Sequence, residues 1–227
     1  MNSHDDSSIK EMERNKAPWG EVTLVGLGRL GLRTALCLMQ AHRGGPEKII
    51  AIDGQKVSSD DLIFRMMGAG IGDNKVTFLE KFAGKGYSKE ISGIPSYVTD
   101  INAKDLIAGD VVCIEIAGGD TLPVTASIIK HAQKIGASTI STMGVFGVDD
   151  AKVISVRIDE ADRNNPIVAF LQNEGIRNHI LIGTGKLIRD WEPVIPPVLD
   201  RISHVMASEI LRELWKRKKT SLIQYHK

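Results

Sequence analysis

The segment Gly26-Leu27-Gly28-Arg29-Leu30-Gly31 sets three glycines at the spacing Gly-x-Gly-x-x-Gly. At this spacing the first glycine permits a tight turn, the second lets a phosphate approach the backbone, and the third lets a helix lie close to a strand. A helix opening at such a loop offers free backbone N–H groups and the positive end of its dipole to an anion. The chemistry is phosphate binding, with Gly26, Gly28, Arg29 and Gly31 as cofactor-binding candidates. A tight turn without a ligand would use the same glycines, but the strand before the loop and the helix after it favour the ligand. Asp53 joins the set, because an acid at a strand end accepts hydrogen bonds from both ribose hydroxyls and disfavours a ribose phosphate. A turn-forming aspartate in Asp53-Gly54 is the plain alternative. To this point NAD and ATP fit equally.

The residues after Asp53 bear on that choice, since hydride transfer and phosphate chemistry make different demands. Arg65 and Lys75 are the cations near the glycine loop, and fixed cations stabilise charge developing on a polyphosphate. A lone Lys or Arg is otherwise a solvated surface charge. The six histidines, at positions 4, 42, 131, 179, 204 and 226, include no pair at metal-ligand spacing. Ser141-Thr142-Met143-Gly144 follows an expected strand on the ligand-binding side of a doubly wound sheet, and is a candidate lining for an acceptor pocket. The basic run Lys216-Arg217-Lys218-Lys219 reads as a solvated helix end, where cations oppose the helix dipole.

Holding these residues requires strands and helices in alternation. Glu21-Val22-Thr23-Leu24-Val25 is a short apolar run ending at glycine, as a buried parallel strand should be. Helical spacing of Leu30, Leu32, Ala35, Leu36, Leu38 and Met39 predicts a helix over 29–42, stopped by Gly44-Gly45-Pro46. A second strand over 48–52 completes a β-α-β unit. Further along we expect a short helix and loop within 58–72 and a helix over 75–82. Strands follow at 96–98, 110–116 and 137–142, with a helix over 122–135 between the last two, and another strand at 152–157. Pro193, Pro196 and Pro197 mark a loop, and Leu199, Ile202, Val205, Met206, Ile210, Leu211 and Leu214 trace a terminal helical stripe. The fold class is therefore α/β and Rossmann-like, with a mainly parallel central sheet and helices on both faces. A polar arm over 1–18 precedes one nucleotide-binding domain over 19–227.

Composition removes several classes of function. With 42% hydrophobic and 25% charged residues and a formal net charge of +1, the chain gives no electrostatic argument for nucleic acid. Cys37 and Cys113 both lie in apolar runs, too few for a tetracysteine zinc site and not arranged as a disulfide framework, which fits a reducing cytoplasm. The N-terminal segment has no apolar signal core, and no membrane-spanning run follows.

The order of the glycine loop, Asp53, Asp61-Leu62, Arg65 and Ile71-Gly72-Asp73-Asn74-Lys75 resembles the ThiF/MoeB-type, ubiquitin-activating-enzyme-like adenylyltransferases. Those proteins carry, in that sequence, an acidic ribose contact, an Asn-Leu followed by an arginine, and an Ile-Gly-x-x-Lys segment. The similarity runs from about Val22 through Ala137, and 197–214 resembles their terminal helix. Three positions depart from the pattern: the family arginine stands one residue nearer the Asn-Leu pair than Arg65, Asp61 replaces the asparagine, and Arg29 replaces a loop glycine. The resemblance implies a homodimer that uses ATP and magnesium to join AMP to a small-molecule carboxylate, releasing pyrophosphate. It places the ribose at Asp53, the ATP phosphates at the catalytic pair Arg65 and Lys75, and magnesium at Asp120, with Glu115 the other acid near that strand end. Arg14 would act across the dimer.

Without a tetracysteine site or an exposed cysteine, adenylation alone remains on this chain, and thioester formation would pass to a downstream enzyme. Short, zinc-free and cysteine-poor, the chain resembles the branch of the family implied in activating the carboxylate of guanylylpyridinol for a hydrogenase iron cofactor. Two rivals remain open: an NAD-dependent oxidoreductase, favoured by the glycine loop and strand-end aspartate, and a non-catalytic nucleotide sensor.

Overall fold

Aliphatic runs in this chain are buried on both faces. Val22, Leu24 and Val25 in the first strand and Ile49, Ala51 and Ile52 in the second are almost wholly inaccessible, as strands covered by helices on either side must be. The computed structural model describes residues 13, 16–85, 87–148, 150–187 and 192–225. Its strands are β1 (Glu21–Val25), β2 (Lys48–Ile52), β3 (Glu90–Ile94), β4 (Val111–Ile114), β5 (Ser138–Thr142), β6 (Ile154–Arg157) and β7 (His179–Gly183). The helices are α1 (Arg29–Met39), α2 (Leu62–Met66), α3 (Lys75–Ala83), α4 (Ala103–Leu106), α5 (Leu122–Lys134), α6 (Pro166–Asn173) and α7 (Pro196–Tyr225), with a 3-10 turn at Gly119–Thr121.

The strands form one sheet in the order β3-β2-β1-β4-β5-β7-β6. All neighbours are parallel except β6, which runs antiparallel to β7 at the edge. One apolar cluster joins alternate strand residues such as Leu24, Ile49 and Cys113 to α1, α3 and α7. A second joins Val25, Ile52 and Ile114 to α4, α5 and α6 on the opposite face. The expected α/β class, with its mainly parallel sheet and helices on both faces, is the observed one.

Several boundaries differ from the sequence reading. The third strand is Glu90–Ile94, and 96–98 has no regular structure. That strand lies at the sheet edge and carries Gly93, where an added Cβ would stand 2.7 Å from the Val76 carbonyl oxygen. The glycine that lets α3 approach also erases the apolar signal of the strand. Strand β7 begins with His179, whose ring interrupts the apolar run, and neither β7 nor α6 was expected. The ring nitrogens of His179 lie 2.8 Å from Ser141 Oγ and 2.9 Å from Thr139 Oγ1, so this buried polar group is paired across β5. Pro196 and Pro197 open α7 instead of sitting in a loop, since proline in a first helical turn removes only an N–H without an intrahelical partner. Arg217 in the basic run donates to Asp110 Oδ1 and to the Gly136 carbonyl, which fixes the far end of α7 against the sheet.

Candidate active site

Order reverses at β1, whose neighbours β2 and β4 are reached in opposite directions along the sheet. In open α/β sheets the crevice outside such a switch point, at the carboxyl ends of the strands, is where ligands bind. A cleft of about 240 Å³ lies there, lined by Gly26, Gly28, Asp53, Gln55, Tyr97 and Glu115 together with Ile52, Val98, Ile116 and Val124.

The three loop glycines have separate physical reasons. Gly26 has φ +94°, and an added Cβ would stand 2.8 Å from the Glu115 carbonyl carbon, because the turn presses against the end of β4. A Cβ on Gly31 would reach 2.0 Å from the Gly26 carbonyl oxygen, so α1 could not sit at this distance from the loop. Gly28, the N-cap of α1, has an ordinary φ of −76° and nothing within 4 Å of an added Cβ. It faces open space in the cleft, where a ligand would approach. Arg29 begins α1 and is exposed.

Asp53 is a clasp within the site. Its Oδ2 accepts the Leu27 backbone N–H at 2.6 Å, and its Oδ1 accepts the Gln55 N–H at 2.6 Å. It therefore fixes the glycine loop to the end of β2 and also lines the cleft.

Lys75 lies one side chain behind the cleft wall. The loop after β2 is stitched to the segment before α3 by Val57 N to Asp73 O at 2.7 Å and Gly72 N to Val57 O at 2.8 Å. Asn74 caps α3 by accepting from the N–H groups of Val76 and Thr77. Lys75, the first helical residue, is thereby buried with Nζ 3.2 Å from Asp61 Oδ1, 3.0 Å from Gln55 Oε1 and 5.5 Å from the Phe64 ring centre. Burial pushes the pKa of Asp61 up, but hydrogen bonds from Ser58 and the Lys75 ammonium outweigh it and hold the carboxyl below its usual value. Gln55, which the sequence reading passed over, links Lys75 to the cleft.

Arg65 is exposed on α2, its NH1 donating to the Ser59 carbonyl at 3.0 Å, and is not among the cleft-lining residues. Asp120 is exposed at the cleft rim, beside the lining residue Thr121, and its Oδ1 folds over Gly118. Glu115 is buried beneath the glycine loop, accepting from Thr34 Oγ1 at 2.9 Å. Arg14, along with His4 and His226, lies outside the described residues. Tyr97 was also passed over. Its ring lies against Gly54 so closely that an added Cβ would come within 2.5 Å of it.

Neither cysteine has the surroundings of a nucleophile. Burial pushes the Cys37 thiol up, with Ser203 opposing. Burial and the neighbouring Glu115 push Cys113 well above the ordinary thiol value. Among the described residues no group of three or more His, Cys, Asp or Glu could hold a metal ion. One carboxylate at the cleft rim still fits magnesium, which takes most of its other ligands from water and substrate phosphates.

No family model matches the chain. E. coli TcdA, a tRNA N6-threonylcarbamoyladenosine dehydratase, has a structure in complex with ATP that matches with a TM-score of 0.74 at 16% identity, over 93% of this chain and 91% of that one. At that identity the likeness speaks to fold alone. Fold and cleft together define a Rossmann-type α/β protein with its cleft at the sheet's switch point. HcgE from Methanothermobacter marburgensis, in a structure bound to guanylylpyridinol and ATP, is 65% identical, with a TM-score of 0.87 over 89% of this chain and 98% of that one. An uncharacterized protein of Methanocaldococcus jannaschii is 40% identical over 210 residues, 92% of this chain and 83% of that protein. The chain belongs to the HcgE family.

Proposed function

We propose that the protein activates the carboxylate of guanylylpyridinol with ATP, forming an acyl adenylate and releasing pyrophosphate. The observation that carries this reading is the cleft at the β1 switch point, with open space at Gly28 and Asp53 clasping the glycine loop. It is supported by 65% identity to HcgE, whose structure holds guanylylpyridinol and ATP.

In this reading a carboxylate oxygen of the acceptor bonds to the α-phosphorus and the bond from that phosphorus to the pyrophosphate oxygen breaks. No general base is needed, because a carboxylate is already ionised near neutral pH. The backbone N–H groups at the start of α1 receive phosphate oxygens, Asp53 takes the ribose hydroxyls, and orientation supplies much of the rate. Lys75 offsets charge on the departing pyrophosphate by exchanging Asp61 or Gln55 for a phosphate oxygen, and Arg65, exposed outside the cleft lining, by leaving the Ser59 carbonyl for the cleft mouth. Arg29, at the first turn of α1, meets the phosphate tail. Asp120 holds magnesium, which when bound would neutralise phosphate charge.

We assign residues 19–227 to one domain behind a polar arm and place the protein in the cytoplasm, in line with its unpaired cysteines. No described helix is long and apolar enough to cross a membrane. A homodimer is supported by Leu62 and Met66, exposed one helical turn apart on α2. A separate thioester-forming enzyme would consume the acyl adenylate.

Calorimetric titration with magnesium–ATP, and separately with NAD and NADH, tests the reading first. ATP binding alone, followed by pyrophosphate release on adding guanylylpyridinol, is the expected result. Binding of NAD alone overturns it in favour of redox chemistry, and tight ATP binding without turnover favours a sensor.

A further inference from the structure

Glu115 ends β4 directly behind the glycine loop. Its backbone N–H donates to the Val25 carbonyl at 2.7 Å, and an added Cβ on Gly31 would stand 4.0 Å from its own Cβ. The carboxyl is enclosed by α1, β4 and α7. From α1 come Thr34, whose Oγ1 donates to Oε2 at 2.9 Å, and the Cys37 thiol. Cys113 in β4 offers a weak S–H contact to Oε1 at 3.5 Å. Behind these, α7 brings Met206 against Thr34, and Ser203 and Asp200 near Cys37. Arg33, the cation on this part of α1, is already bound to Asp200 at 2.6 Å, and among the described residues no cation pairs with Glu115. β1 and the turn after it bring no charged group to this side, meeting Glu115 through the Val25 carbonyl and the backbone of Gly26.

A buried carboxylate without a cation, placed behind a loop that receives a polyphosphate, sets like charges against each other in a poorly screening medium. Thr34 can serve both protonation states. It donates to the carboxylate, or accepts from the acid while turning its own hydroxyl towards the Leu30 carbonyl at 3.4 Å. We propose that Glu115 is a proton acceptor coupled to the nucleotide site: as phosphates enter the glycine loop its carboxylate takes one proton from solvent, and it returns that proton when they leave. The only bond made is O–H on Glu115, and the proton comes from the buffer. Burial already holds this carboxyl up at about 7, so the further push of a polyphosphate changes its charge under ordinary conditions. The inference rests on the reading of the cleft as an ATP site.

The test is calorimetric titration of the full-length protein with magnesium–ATP at about pH 7.5, in two buffers of different ionisation enthalpy, for wild type and Glu115→Gln. We expect the wild type to take up roughly half a proton more than the variant, and its affinity to weaken up to about tenfold per unit above the free-state midpoint, while the variant stays flat. Equal proton uptake by two proteins that both bind ATP overturns the proposal and leaves the nucleotide reading standing. Failure of the wild type to bind ATP overturns both. If the variant does not fold, 13C NMR titration of the Glu115 carboxyl in the wild type decides. A midpoint raised by about one unit or more by a non-hydrolysable ATP analogue supports the coupling, and an unmoved midpoint ends it.

Discussion

The backbone N–H of Leu27 donates to Oδ2 of Asp53 at 2.6 Å, joining the glycine loop after β1 to the end of β2. The other carboxylate oxygen takes the Gln55 N–H at the same distance. Asp53→Ala leaves the buried Leu27 N–H without its partner and should cost about 1–3 kcal/mol of stability. Asp53→Asn keeps an oxygen for one of the two donors, so its stability loss should be smaller, while ATP affinity should drop by about tenfold or more if Asp53 takes the ribose hydroxyls. Thermal unfolding and ATP titration of both variants separate the clasp from the ligand contact.

Gly28 and Gly31 lie in one motif but should fail in different ways. Gly31→Ala drives a methyl group into the Gly26 carbonyl and should destabilise the protein by about 3 kcal/mol. Gly28→Ala meets no neighbour and keeps an ordinary φ, so stability should change by about 0.5 kcal/mol or less while ATP binding weakens at least about tenfold. Equal loss of stability in both would show that Gly28 serves the turn alone.

Lys75 cannot be removed without consequence for Asp61. Their side chains are only 5% and 11% exposed, and taking away one partner of a buried ion pair costs about 3–5 kcal/mol. Lys75→Ala should therefore lose stability as well as pyrophosphate release. The double variant Asp61→Asn, Lys75→Met removes both charges and should recover most of the stability. If Lys75 serves the phosphates, pyrophosphate release should stay about a hundredfold down. Normal release by the double variant would remove Lys75 from the reaction.

Acid stability should report His179. Burial pushes its pKa down to about 3, with a Thr139 hydrogen bond opposing, against about 6.5 in an unfolded chain. Between these values the unfolded state binds a proton that the native state does not. The stabilisation is whole above about pH 6.5 and falls by about 1.4 kcal/mol per unit as pH drops towards 3. Denaturant titrations from pH 8 to about pH 4.5 should show this slope. In His179→Gln the protein should be weaker at pH 8, through lost bonds to Ser141 and Thr139, and the acid slope shallower.

Local chemistry made the first half of this protein legible. An uninterrupted apolar strand, a glycine turn and a helical stripe each depend on neighbours within a few residues, so β1, α1, β2 and the loop from Gly26 to Gly31 could be read in order. The strands lost to the sequence reading were those in which packing overrides local pattern. In β3, Gly93 admits α3, and in β7, His179 is acceptable only because Thr139 and Ser141 of another strand meet its nitrogens. The same division runs through the site. Sequence alone determined an α/β nucleotide-binding fold, with Asp53 at the strand end after the glycine loop. Only the tertiary structure decided that Asp61 neutralises Lys75 behind Gln55, that Arg65 is not among the cleft-lining residues, and that Glu115 is buried beneath the glycine loop. Burial and partnership are set by residues distant in the chain, and in a low-dielectric interior they decide what a charged side chain can do.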